Sequence, residues 1–307
     1  MEFLRLLAEI RNPALDRIML AISYLGTPYV MLGIFILFYL IIDKEEAYGI
    51  GFSFCFSCLF CQAAKVVARV PRPWNLDTSF EPVPEAVPSA TGYSFPSVHA
   101  QSAASILGSV FYYNKKRVVR IVTAVLIALI GFSRMYLGCH TPVDVLVGLL
   151  AGILISAISW YFWNKVRKER RPPDMLAFFL LAFGILLIFL ASALLFNATI
   201  DYANAADSFK MAGVSIGLAV AMFVEPRALR FSVEGTILKK ILRFAIGLGG
   251  LLLVSAAIKA IPTSTSIPLL VIRYALMLLY ITLCTPWICL KTGLMETKQA
   301  ALRTPKI

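Results

Sequence analysis

The chain holds only two histidines, His99 and His140, and each stands where a helix is expected to begin. Asp144 lies four residues beyond His140, with Thr141 and Pro142 between them as the expected N-cap and first helical residue. One helical turn lets a carboxylate accept from one imidazole nitrogen and fix the tautomer, so the other nitrogen is free to attack. His99 follows Pro96, Ser97 and Val98, and an imidazole titrating near neutrality suits a general acid. Three cations accompany them: Lys65, Arg72 and Arg134, the two guanidinium forks matching the oxygens of a tetrahedral anion. Ser97 falls at an expected N-cap, and the free N–H groups behind it form an anion site. The set amounts to a nucleophile, an acid, an orienting carboxylate and a phosphate cradle, and it calls for no metal or cofactor. The competing structural reading is a pair of interfacial histidines held by ordinary hydrogen bonds.

These residues must be positioned by membrane helices. Of 307 residues, 59% are hydrophobic and 15% charged, and the mean hydropathy is +0.80. The apolar residues gather in runs near the roughly 20 that a helix needs to cross a bilayer. The expected fold class is therefore all-α, a polytopic transmembrane bundle of about nine spans. The spans are placed at 28–42, 47–68, 99–114, 118–138, 142–164, 175–196, 209–225, 241–261 and 267–290. Residues 1–26 read as amphipathic helix lying in the interface, with Leu4, Leu6, Leu7 and Ile10 on one side. The opening MEFLRLLAEIRNP lacks the apolar core of a cleavable signal.

Charge supplies the orientation. The formal net charge of +12 is not gathered into a nucleic-acid-binding stripe, so no nucleic acid partner is expected. Lys115, Lys116, Arg117 and Arg120 share one set of loops with the linker NKVRKERRPPD and the basic residues at 227–243; the tail adds Lys291, Lys298, Arg303 and Lys306. The loops at 197–208 and 262–266 contain no Lys or Arg. The positive-inside rule makes the basic set cytoplasmic and places loop 69–98 and the turn before His140 outside. The expected location is the plasma or cytoplasmic membrane, with the site on its outer face. Arg5, Arg11 and Arg17 at the outward N-terminus run against the rule.

The three chemical pieces, Lys65-x6-Arg72-Pro73, Pro96-Ser97-x-His99 and Ser133-Arg134-x5-His140-x3-Asp144, resemble the signature of the type-2 phosphatidic acid phosphatase family in order and spacing. The resemblance covers roughly residues 14–164. It implies a phosphohistidine on His140 hydrolysed by water, phosphate held by Lys65, Arg72, Ser97 and Arg134, and independence from magnesium. The family often carries glycine where Val98 stands, and that residue's N–H helps hold phosphate; the valine keeps the N–H and narrows the pocket. The related vanadium haloperoxidases use similar residues but are soluble, which the expected spans oppose.

Two domains follow: a catalytic membrane domain at 1–164 with its interfacial helix, and a C-terminal transmembrane extension at 165–307 without a chemical motif. The expected activity is hydrolysis of a lipid phosphate or isoprenoid diphosphate, with the bilayer supplying the substrate. Phosphotransfer from the same intermediate, or phosphate binding without turnover in a transporter or scaffold, are the alternatives. Cys55, Cys58 and Cys61 share a helix face at i, i+3 and i+6 but lack a fourth ligand, so packing is expected rather than metal. Arg273 and Lys259, inside spans, are expected to snorkel. Asp77, Glu81 and Glu85 are read as solvated loop charges, and Trp74 and Tyr93 as interfacial anchors.

Overall fold

Each of the nine expected spans falls on helix. The structure, a computed structural model, describes residues 1–169, 173–259 and 266–297. The N-terminal segment forms α1 (Glu2–Glu9) and α2 (Pro13–Leu25), the latter capped by Asn12, whose side chain accepts from the N–H of Leu15. The expected spans then follow as α3 (Pro28–Leu37) with a π turn at Phe38–Ile42, and α4 (Lys44–Ala68). A short α5 (Pro73–Leu76) and a 3-10 turn (Pro84–Ser89) lie in the loop before α6 (Val98–Tyr113), α7 (Arg117–Tyr136) and α8 (Pro142–Lys168). The extension holds α9 (Asp174–Phe196), α10 (Tyr202–Ala228), α11 (Ile237–Lys259), α12 (Ile267–Leu279), a π turn at Tyr280–Cys284 and α13 (Thr285–Lys291).

Among the described residues, six helical stretches are long and apolar enough to cross a membrane, or seven if α2 and α3, bent by 48°, form one span. Of the three expected spans absent from the six, that at α11 is helical all the same, and the other two differ for physical reasons. Helix α6 has 16 residues, about 24 Å of helix, and is almost wholly enclosed by protein. The run at 28–42 joins α2 through Gly26 and Thr27 rather than standing alone. The amphipathic side expected of the first residues also divides: Leu4 and Leu7 are buried, whereas Leu6 and Ile10 are exposed.

Burial separates central helices from peripheral ones. In α4 and α10 the most apolar stretch is 67% and 61% buried, against 22–28% in α7, α8, α9 and the last span. The peripheral helices turn residues such as Phe178, Phe189 and Leu154 outward, where hydrocarbon is the natural solvent. The extension packs directly on the first half: Phe35, Tyr39, Tyr48 and Trp163 share one apolar cluster with Leu180, Leu218, Met222 and Ile281. A buried ion pair crosses the same boundary, Lys44 Nζ standing 2.7 Å from Glu225 Oε1 and donating also to the Phe231 carbonyl at 2.9 Å.

The packing that matters most for chemistry is α6 on α8. Gly148 and Gly152 repeat at four residues on α8, and a Cβ on either would stand 2.5 Å from Ser97 O or Ala104 Cβ respectively. Small residues at this spacing let two helix backbones approach closely in a membrane. The start of α6 is thereby drawn against the start of α8. Cys55, Cys58 and Cys61 are buried free thiols, Cys58 donating to Gln101 Oε1 at 3.3 Å. Arg273 is half-buried beside the Tyr274 ring, its guanidinium carbon 5.8 Å from the centroid. The side chain of Lys259 and residues 298–307, with three of the four basic tail residues, lie outside the described residues.

Candidate active site

Three stretches of backbone converge at one end of the bundle. Helix α4 delivers Lys65 in its last turn and ends at Arg69, whose φ of 51° turns the chain towards Arg72. Helix α7 delivers Arg134, and Gly138, at φ 76°, bends the chain back so that His140 precedes α8. Thr141 and Pro142 stand at the N-cap and first position, and Thr141 and Asp144 form a reciprocal capping box. The third stretch, residues 91–99, is pinned between them: the Ser94 N–H donates to Val70 O at 2.8 Å and the Ser97 N–H to Asp144 O at 2.9 Å. Lys65, Arg72, Ser97, Arg134, His140 and Asp144 are all buried.

His140 Nε2 lies 3.0 Å from Arg72 Nη1. A guanidinium only donates, so Nε2 carries the lone pair and the imidazole proton sits on Nδ1. Asp144 Oδ2 is 3.7 Å from Nδ1, an ion-pair separation rather than a hydrogen bond. Ser94 Oγ bridges the gap, donating to Asp144 Oδ2 at 2.7 Å and standing 3.4 Å from Nδ1. Asp144 Oδ2 is further fixed by the Thr141 N–H at 2.8 Å. Burial, then the charges of Arg72, Arg134 and Lys65, push the His140 pKa well below its ordinary 6.5. The imidazole is therefore neutral near pH 7, with its lone pair directed into the site.

The cations are held by backbone oxygens. Arg72 donates through Nε to Gly92 O at 3.0 Å, through Nη2 to Thr91 O at 2.6 Å and through Nη1 to Cys139 O at 3.1 Å. Lys65 Nζ donates to Tyr93 O. Arg134 Nη1 donates to Ser23 Oγ at 2.7 Å and Ser89 Oγ at 3.2 Å. What remains unsatisfied is informative: Arg134 Nε and Nη2, Ser97 Oγ and His99 Nε2 are buried without a hydrogen-bond partner. Buried polar groups left unpaired cost about 1–3 kcal/mol each. Four such atoms, beside a neutral imidazole and under the field of three cations, form a group chemically suited to a tetrahedral oxyanion. Ser97 is the N-cap of α6 and its hydroxyl does not cap the helix, so the first-turn N–H groups behind it, Val98 included, stay available. Val98 itself is half-buried.

Every site residue expected from the sequence thus lies in or beside one cluster. Several contributors were not anticipated. Ser94 sits three residues before Ser97 and had no spacing relation to His140, 46 positions away. Ser23 and Ser89, which hold Arg134, are equally remote from it in sequence. Arg5 and Arg11, contrary to the charge rule, are engaged by the same loop. Arg5 pairs with Asp77 at 2.6 Å, and Arg11 donates to Glu81 O at 2.7 Å and Tyr136 O at 3.1 Å. Hydrogen bonds from Ser79, then Arg5, hold the Asp77 carboxyl down at about 2.

Comparisons with known proteins identify the family. Residues 46–168 match the PAP2 superfamily, and residues 209–298 match the PAP2 superfamily phosphatase, transmembrane extension. Phosphatidylglycerophosphatase B of Bacillus subtilis is 26% identical over 180 residues, which span 53% of this chain and 82% of that protein. Undecaprenyl-diphosphatase of Sulfolobus acidocaldarius is 30% identical over 162 residues, 52% of this chain and 75% of that protein. The crystal structure of Aquifex aeolicus LpxE aligns with a TM-score of 0.37 at 26% identity, covering 52% of this chain and 92% of that one. The chain belongs to the PAP2 superfamily and is a membrane-embedded phosphatase that carries the family's transmembrane extension.

Proposed function

We propose that the protein hydrolyses a lipid phosphate or isoprenoid diphosphate through a covalent phosphohistidine on His140. The observation that carries this reading is the set of buried, unpartnered polar atoms on Arg134, Ser97 and His99 around a neutral imidazole. Phosphate oxygens entering the cavity satisfy Arg134 Nε and Nη2, the Ser97 hydroxyl and the first N–H groups of α6. Arg72 Nη1 then exchanges the Nε2 lone pair for a phosphoryl oxygen, which releases the nucleophile; its Nε and Nη2 stay on the loop carbonyls. Lys65 adds the third charge.

In the first step Nε2 bonds to phosphorus as the bond to the lipid oxygen breaks, and His99 gives its proton to the departing oxygen. Positive charge growing on the His140 ring is met by Asp144 through Ser94. In the second step His99 takes a proton from water, whose oxygen displaces His140 and yields inorganic phosphate. Charge is stabilised throughout by fixed side chains, so the scheme runs without magnesium. The relatives named for a lipid phosphate and a polyprenyl diphosphate support a substrate whose tail stays in the bilayer. The basic loops support an outward-facing site, with residues 1–164 catalytic and 165–307 the extension.

The test is phosphate release by purified protein in detergent and chelator from phosphatidate, phosphatidylglycerol phosphate and an isoprenoid diphosphate. Acid-labile, alkali-stable radiolabel should be trapped on the wild type and be absent from His140→Ala. Release by His140→Ala at the wild-type rate would sink the mechanism. Turnover that depends on an added acceptor lipid would make the enzyme a phosphotransferase.

A further inference from the structure

The extension meets the phosphate-binding loop twice, through the Tyr93 ring, which packs with Ala191, Ile200 and Phe209, and through a hydrogen bond. Near its start α10 carries Asp207, and Thr91 Oγ1 donates to Asp207 Oδ2 at 2.5 Å across 116 residues of sequence. Asp207 is held in turn by Lys210 Nζ, 2.7 Å from Oδ1. The same Thr91 presents its carbonyl to Arg72 Nη2, and its neighbour Gly92 presents its carbonyl to Arg72 Nε. Gly92 adopts a φ of 62° and packs towards Asn204 O on α10. Arg72 Nη1 then meets the nucleophile. An unbroken series of contacts therefore runs from α10 through the backbone of residues 91–92 to the guanidinium at His140.

We propose that Asp207 is a positioning residue: the transmembrane extension sets the orientation of the Arg72 fork, and so of the phosphate, by clamping Thr91. Two carbonyls fix the plane of a guanidinium only if the peptides bearing them are themselves fixed. Loop 91–94 has no regular secondary structure to do this. Tyr93 is held by Lys65 and by apolar packing and Ser94 by its N–H on Val70 O, whereas the side chain of Thr91 is anchored by Asp207. A carboxylate is suited to the task, since a hydroxyl donating to a charge is held about twice as strongly as one donating to a neutral acceptor. Lys210 keeps that charge in place and offsets its repulsion of the incoming phosphate.

The inference rests on Arg72 binding phosphate as proposed above, and the test separates the two. Full-length Asp207→Ala, Asp207→Asn, Thr91→Val and the double variant Thr91→Val/Asp207→Ala are compared with wild type. The readouts are binding of inorganic phosphate by calorimetry and turnover of the panel lipids. Asp207→Ala and Thr91→Val should each weaken phosphate binding and lower kcat/KM by about tenfold, the scale of one hydrogen bond to a charged group. The double variant should be no worse than either single one, because both remove the same clamp. Asp207→Asn, which keeps a neutral acceptor, should recover about half of the loss on the free-energy scale. Glu225→Gln, which breaks the buried ion pair with Lys44 between the halves, should lower Tm without weakening phosphate binding. Unchanged phosphate binding in Asp207→Ala and Thr91→Val would overturn the inference, as would losses that multiply in the double variant. Wild type that binds phosphate but traps no label on His140 would remove the phosphohistidine and leave the clamp standing.

Discussion

The closest contact in the site region makes the sharpest prediction. Replacing Gly148 by alanine puts a Cβ 2.5 Å from the Ser97 carbonyl oxygen and 3.4 Å from Ser97 C and N. All three atoms are backbone, so no side chain can swing away. Ordinary contact begins near 3.4 Å, and the start of α6 must therefore retreat from α8 by about 0.9 Å, a misplacement of the order that costs about 10²-fold in rate. The retreat acts directly on chemistry. The Ser97 N–H donates to Asp144 O, so the movement separates Ser97 and His99 on one helix from His140 and Asp144 on the other. Overpacking of this kind costs about 1–3 kcal/mol of stability. Gly148→Ala should thus fold, with a lowered Tm, while kcat falls about a hundredfold. Gly33→Ala is the control, since a Cβ there meets nothing within 4 Å. The assay is phosphate release from the panel lipids alongside thermal unfolding in detergent. Gly148→Ala retaining kcat within threefold of wild type would show that the helix approach does not set the site's geometry.

Ser94→Ala removes the bridge between Asp144 and the imidazole, and kcat should fall about 10–100-fold with KM little changed, because the bridge matters once the ring becomes positive. Equal loss in KM and none in kcat would refute the bridging role. The reactive form of His140 is the neutral one, and its pKa is depressed, so the acid limb that His140 sets on kcat/KM should lie below pH 6.5. In Arg72→Met that acid limb should move upward, since a cation opposing protonation is gone; a limb above 6.5 in the wild type would contradict the assignment. Breaking the Lys44–Glu225 pair with Lys44→Met or Glu225→Gln should cost about 3–5 kcal/mol, and replacing both should recover much of it. Scanning calorimetry of the three variants decides this, additive losses being the contrary result.

The comparison of chain with structure divides along the distance over which residues interact. His140 and Asp144, Ser97 and the start of α6, and Lys65 and Arg72 at the end of α4 are related by helical spacing or by a helix end. Such relations are local and visible in the order of residues. The helices are legible for the same reason, because an apolar run of sufficient length has no other low-energy form in hydrocarbon. Chemistry also had to be local in type: two histidines in an apolar chain, each at a helix start, leave few roles open. Span number was less legible, because a run of apolar residues does not tell an enclosed helix from one facing lipid. Helix α6 is short and enclosed, and α2 joins α3 at a bend, neither of which hydropathy registers.

What only the tertiary structure decided are the contacts between segments far apart in the chain. Ser94 between His140 and Asp144, Ser23 and Ser89 on Arg134, and Asp207 on Thr91 have no spacing rule to announce them. Each depends on how segments pack together, as where Gly148 and Gly152 let the start of α6 approach α8. The sequence brought out, by type and local spacing, the groups that the structure gathers into one cluster. The fold determined that Arg72 rests on His140, that Ser94 stands between Asp144 and the imidazole, and that the extension touches the loop at Thr91. The physical reason is that hydrogen bonds demand agreement within a few tenths of an ångström, and only packing between helices fixes positions that finely.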